Sequence, residues 1–160
     1  MMSYSQAAET KDKNSAYKKF AQVFTPSGVV FFMIMHEEMR PCVQGLEKTM
    51  FDPCCGEGQF PCAELVLKMF YNMEDLNEAT ALIALASLYG MDIQATSVEK
   101  THNHLVETIS AAYKFFTGEE FTEKEVAKKI AEKNFWQGDS LKQMREWVGE
   151  EKKTRQMTLF

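Results

Sequence analysis

The stretch Met50-Phe51-Asp52-Pro53-Cys54-Cys55-Gly56-Glu57-Gly58-Gln59-Phe60 constrains the fold most, because a short apolar run enters a turn that needs glycine twice. Thr49 to Phe51 favours extended chain, Asp52 stands at its carboxyl end and Pro53 fixes one backbone angle. Gly56 and Gly58 permit tight turns and close approach to bare backbone, where a side chain would intrude. Phe60 to Tyr71 follows with Ala63, Leu65, Val66, Leu67, Met69 and Phe70, dense enough in apolar residues for a largely buried helix. Pro61 is tolerated there because it falls in the first turn. The predicted unit is strand, glycine turn, helix.

This turn departs from the dinucleotide fingerprint in its Gly-x-Gly spacing and in the acid that ends its strand, and no Gly-Lys-Ser or Gly-Lys-Thr follows to make a phosphate loop. A carboxylate beside bare backbone suits a ligand with an ammonium group and hydroxyls, which is how S-adenosylmethionine differs from a nucleotide phosphate. A helix-capping loop with a solvated Asp52 is the alternative account of the same residues.

Other parts of the chain repeat the pattern. Tyr89-Gly90-Met91-Asp92-Ile93 reads as a second strand with an acid at its carboxyl end, placed to accept both hydroxyls of a ribose, with Ile93 available to an adenine face. Asp92 as the cap of the next helix is the competing reading. Asn134 to Leu141 reads as a third strand running into a turn, with Asp139 again at the carboxyl end, where open parallel sheets bind their ligands. Between these lie predicted helices over 75–88, with Asp75 or Asn77 near its start, over 95–116, ended by Thr117-Gly118, and over 122–133 on the surface. His102 and His104 sit two apart on the long helix, point to different sides and read as ordinary helix residues rather than metal ligands. Upstream, Val29 to Met39 marks an apolar-faced helix capped by Thr25 or Ser27 and ending near Arg40, because Pro41 disfavours its continuation.

At 160 residues and 45% hydrophobic composition the chain has the length for one domain with a core. The expected organisation is a flexible leader over 1–19, a cofactor-binding domain over 20–150 and a tail over 151–160. A formal net charge of -5 disfavours an autonomous, strongly basic nucleic-acid binder, so DNA contact would be weak or borrowed from a partner. Cys42, Cys54, Cys55 and Cys62 lack paired metal-ligand spacing and read as reduced thiols. With no signal-peptide pattern and no apolar run of membrane-spanning length, a cytoplasmic protein without membrane contact is expected.

Phe24-Thr25-Pro26, Asp52-Pro53-Cys54-Cys55-Gly56-Glu57-Gly58, Tyr89-Gly90-Met91-Asp92-Ile93 and Gly138-Asp139-Ser140 resemble, in order, the cofactor-binding motifs of the adenine-specific DNA methyltransferases of restriction-modification systems. The resemblance spans roughly Phe24 to Leu141. It implies an α/β chain with a truncated Rossmann-like methyltransferase fold, a short parallel sheet flanked by helices, binding S-adenosylmethionine. Phe24, Thr25, Pro26 and the turn of Asp52, Pro53, Cys54, Gly56 and Gly58 would hold the methionine part, Asp92 the ribose, Ile93 the adenine face and Asp139 the adenine amino group.

The sequence departs from that family where the chemistry would occur. The family's Asn-Pro-Pro-Tyr type motif, which grips the extruded base, is missing, and the last proline of this chain is Pro61. No catalytic residue is therefore assigned, and a partner chain is expected to supply the target-base motif. The tail Gln156-Met157-Thr158-Leu159-Phe160 resembles the short peptide by which bacterial replication and repair proteins bind the sliding clamp, with Gln156, Met157, Leu159 and Phe160 as the contacts. A frayed end docked on the domain is the plainer account. The expected function is a DNA adenine methyltransferase-like protein in DNA modification or anti-restriction. The alternative is a non-catalytic cofactor-binding accessory tethered to the clamp. An exposed edge on the third strand leaves room for a homodimer or heteromer.

Overall fold

The computed structural model describes residues 25–146 and residue 148. Phe24, the leader, and the tail with Gln156, Met157, Leu159 and Phe160 lie outside the described residues.

Strand β1 (Met50–Asp52), β2 (Leu88–Asp92) and β3 (Phe135–Gln137) form a parallel sheet in the order β1-β2-β3. Asp52 stands opposite Gly90 and Asp92 opposite Gln137, so the carboxyl ends of all three strands gather at one end of the sheet. Around it lie α1 (Ser27–Ile34), α2 (Arg40–Gln44), α3 (Gln59–Tyr71), α4 (Glu78–Ala86), α5 (Ala95–Thr117) and α6 (Lys124–Asn134). Residues 140–146 are helical again. The architecture is α/β, rich in helix, with a small parallel sheet flanked by helices.

Local chemistry accounts for most boundaries. Asn77 caps α4 reciprocally with Thr80: its side chain accepts the Thr80 N–H at 3.1 Å while Thr80 Oγ1 accepts the Asn77 N–H at 2.8 Å. Gly118, at φ +77°, ends α5 in the left-handed region. The predicted helix running to Arg40 instead stops at Ile34, and α2 begins at Arg40 with Pro41 in its first turn, where the missing N–H has no intrahelical partner to lose. Neither Thr25 nor Ser27 caps α1. Pro26 holds the cap position, and its carbonyl accepts the N–H groups of Val29 and Val30.

Both strand connections step in the same direction, so right-handed crossovers place the helices between the strands on one face of the sheet. Met50, Leu88 and Phe135 are buried on that face with Leu65, Met69, Leu85, Leu105 and Ile109. Gly90 is required there because a Cβ would come within 2.8 Å of the Phe135 ring and 3.1 Å of Cys55 Cβ. On the opposite face Phe51 and Trp136 stack with ring centroids 5.9 Å apart.

Two buried polar side chains brace the backbone that feeds the sheet. Lys68 is fully buried, and its Nζ donates to the carbonyls of Cys42, Gly45, Leu46 and Lys48 at 2.8 to 3.2 Å, fixing the loop before β1. Burial pushes its pKa down to about 8, against the opposing pull of Glu64. The Asn134 amide donates to the carbonyls of Ala86 and Leu88, each at 3.0 Å, and so holds the entry to β2. Among the described residues no helix is long and apolar enough to cross a membrane.

Candidate functional site

The glycine turn after β1 is built from the inside by carboxylates and backbone. Asp52 Oδ1 accepts the Cys54 N–H at 2.9 Å, which bends the chain away from the strand. The Cys55 N–H reaches the Met91 carbonyl at 2.9 Å and ties the turn to β2. Gly56 (φ +56°) then donates its N–H to Asp92 Oδ2 at 3.1 Å, and Gly58 (φ +89°) caps α3 in the left-handed conformation. A Cβ on Gly58 would also come within 3.1 Å of Thr101 Cγ2.

Helix α5 holds this turn from behind through three side chains. Lys100 pairs with Glu57 at 2.9 Å, Thr101 Oγ1 donates to the Gly56 carbonyl at 2.9 Å, and His104 Nδ1 donates to the Glu57 carbonyl at 2.7 Å. Two residues before His104 and on a different side of the helix, His102 Nε2 meets the Phe135 carbonyl at 2.9 Å and joins α5 to β3. The two histidines, read from sequence as ordinary helix residues, are thus both tertiary contacts. Thr101 and His104, three residues apart and so on one face of the helix, were the available signal for the contacts to the turn.

The ends of β2 and β3 are tied to the same place. Asp92 Oδ1 accepts the Gln94 N–H at 2.9 Å, and the Gly138 N–H reaches the Asp92 carbonyl at 2.9 Å. Cys54 Sγ lies 3.5 Å from Ser140 Oγ, bringing the chain after β3 back against the glycine turn. Asp52, Pro53, Cys54, Gly56, Gly58 and Asp92 therefore belong to one constellation. Ile93 sits beside it, 55% exposed, with its carbonyl held by Gln137 Nε2. Asp139 is close in sequence to Ser140, and its Oδ1 accepts the Lys142 N–H at 3.1 Å, the role of a helix cap. Thr25 and Pro26 lead into α1.

The electrostatics are those of an acidic site. Burial raises the Asp52 pKa, the Cys54 N–H lowers it, and the Asp92 charge raises it again. Burial, with Asp52 and Asp92 beside it, pushes the Cys55 thiol up to about 12, which keeps it protonated and removes it as a nucleophile. Glu64, buried on α3, is pushed up to about 7 by burial and by Asp52, with Lys68 opposing. Such a site repels phosphate and accepts cations and hydroxyls. Each Asp92 oxygen accepts one backbone N–H and retains further acceptor capacity.

No protein-family model, no curated protein and no solved structure matches this chain.

Proposed function

We propose that the chain is the cofactor-binding part of a DNA adenine methyltransferase-like protein, with a truncated Rossmann-like core that takes S-adenosylmethionine at the carboxyl ends of its strands. It acts in DNA modification or anti-restriction with a partner chain that presents the target base. The observation that carries this reading is the hydrogen bond from Gly56 to Asp92, which brings the acids ending two adjacent strands to one stretch of bare glycine backbone. The residues present fit the group: Asp52 and Asp92 supply carboxylate for an ammonium and for ribose hydroxyls, Gly56 and Gly58 leave space for close approach, and Ile93 offers an exposed apolar side chain. When bound, the cofactor supplies the methyl group. This chain's residues bind and orient it, and the protonated Cys55 stays out of the chemistry.

Calorimetric titration with S-adenosylmethionine and S-adenosylhomocysteine tests the reading, using wild type, Asp52→Ala and Ile93→Asp. Binding by wild type that weakens at least ~10-fold in both variants supports it, since each loses a ligand contact of about 1.4 kcal/mol or more. A folded wild type that binds neither compound overturns it.

The missing Asn-Pro-Pro-Tyr type motif and the clamp-like tail favour a second reading, a non-catalytic accessory that binds the cofactor and is tethered to the sliding clamp. Pull-down of the clamp by the full chain, and its loss when Gln156 to Phe160 are deleted, separates the two.

A further inference from the structure

A cavity of about 440 Å³ opens between α1, the first turns of α3 and the middle of α5. Asp52, Asp92 and Asp139 do not line it, but Glu57 and Gly58 do, so it adjoins the site proposed for the cofactor along the glycine turn and extends away from its carboxylates. Its volume falls within the range of small-molecule pockets. Val30, Phe31 and Val66 give it apolar walls, while His104, Glu107 and Cys62 contribute polar atoms.

Those polar groups select the chemistry of a ligand. The Glu57 carbonyl only accepts, so the 2.7 Å bond fixes the proton of a neutral His104 on Nδ1 and leaves Nε2 as an acceptor. Burial pushes the Cys62 thiol up to about 11, so it stays an S–H group, bonded to Thr108. Glu107 brings a carboxylate, and Lys100, the cation near this region, is paired with Glu57 at 2.9 Å. Among the described residues no Lys or Arg side chain lines the cavity. Negative charge and acceptors beside apolar walls match an ammonium carried on a hydrophobic body, and they oppose carboxylates and phosphates.

We propose that this cavity is a second binding site, which takes a small organic amine with its apolar body against Val30, Phe31 and Val66 and its ammonium on Glu107 and His104 Nε2. The assignment uses neither Asp52 nor Asp92 as a ligand group, and it meets the cofactor reading only at the shared Gly58. Because His104 also holds the Glu57 carbonyl, an occupant here touches the support of the glycine turn.

The test titrates the full chain with 2-phenylethylamine and with its neutral isostere 2-phenylethanol, following backbone amide shifts by NMR. The amine is expected to give saturable shifts at Phe31, Val66 and His104 with a Kd on the order of 1 mM, as befits a fragment of this size. The alcohol should bind roughly 10-fold more weakly, the cost of losing a charge-assisted contact. Glu107→Gln should erase that preference, and Val66→Trp, which fills the cavity, should erase binding with the remaining spectrum native. Should Val66→Trp fail to fold, Ala63→Leu at the same wall replaces it. Equal binding of amine and alcohol, or a preference untouched by Glu107→Gln, overturns the proposal, as does the absence of saturable shifts up to ~10 mM.

Discussion

Gly56 donates its backbone N–H to Asp92 Oδ2 at 3.1 Å, so the carboxylate that ends β2 closes the turn that follows β1. The other oxygen of Asp92 accepts the Gln94 N–H at 2.9 Å and shapes the entry to α5. Asp92 is therefore a structural acceptor as well as a candidate ligand group. Asp92→Asn presents one amide NH₂ where a carboxylate oxygen stood, and one backbone N–H loses its acceptor. Unfolding in urea should show a loss of about 1 to 3 kcal/mol. Wild-type stability in this variant would mean that the lost bond contributes nothing.

Lys68→Met keeps the aliphatic stem but removes the ammonium that four carbonyls share. With those part-buried acceptors left without their donor, the loop before β1 should loosen and stability should fall by about 2 kcal/mol. Hydrogen exchange at Met50 and Phe51 reads the local effect. A melt within error of wild type would refute the bracing role.

Glu64 gives stability a pH dependence whose sign follows from its burial. Its pKa rises from 4.5 to about 7 on folding, so its favourable contribution is whole below about pH 4.5 and is lost as pH climbs through about 7. The full shift corresponds to about 3 kcal/mol. Glu64→Gln carries no proton to lose, so it should be flatter with pH and more stable than wild type at pH ~8. Urea midpoints at pH ~5.5 and ~8 decide the matter, and parallel curves for the two proteins would sink the assignment.

Gly90→Ala would drive a methyl to within 2.8 Å of the Phe135 ring. The expected cost is about 1 to 3 kcal/mol of overpacking. Phe135→Leu in the same chain should recover part of it, a coupling that a double-mutant cycle measures directly. Additive losses would place the strain elsewhere, against Cys55.

The strands and their connecting helices were legible because their apolar runs end in residues with local mechanisms, such as Asn77 at a cap and Gly118 at a left-handed stop. The gathering of Asp52 and Asp92 was legible for the same reason, each acid marking the end of a short apolar segment. The break of the first apolar helix at Ile34 was not, since its residues keep helical spacing through Met39 and only the turn at His36 to Met39 separates α1 from α2. The parts that depend on tertiary partners stayed hidden. Lys68 occurs in a helix whose charge pattern gives no sign of four distant carbonyls, and Thr101 and His104 acquire their roles only when α5 crosses the glycine turn.

The sheet order has a consequence for how the molecule comes apart. β2 is the middle strand, and it pairs with β1 along one edge and with β3 along the other. Parallel pairing cannot form across a short reversal, so each pair waits for an intervening helix to be laid down first. The β1 pairing uses Leu88 to Gly90 and the β3 pairing uses Gly90 to Asp92, so the two meet at Gly90 and neither β1 nor β3 has a sheet partner without this strand. Losing β2 dismantles everything at once, so unfolding is cooperative, with no stable intermediate made of one half.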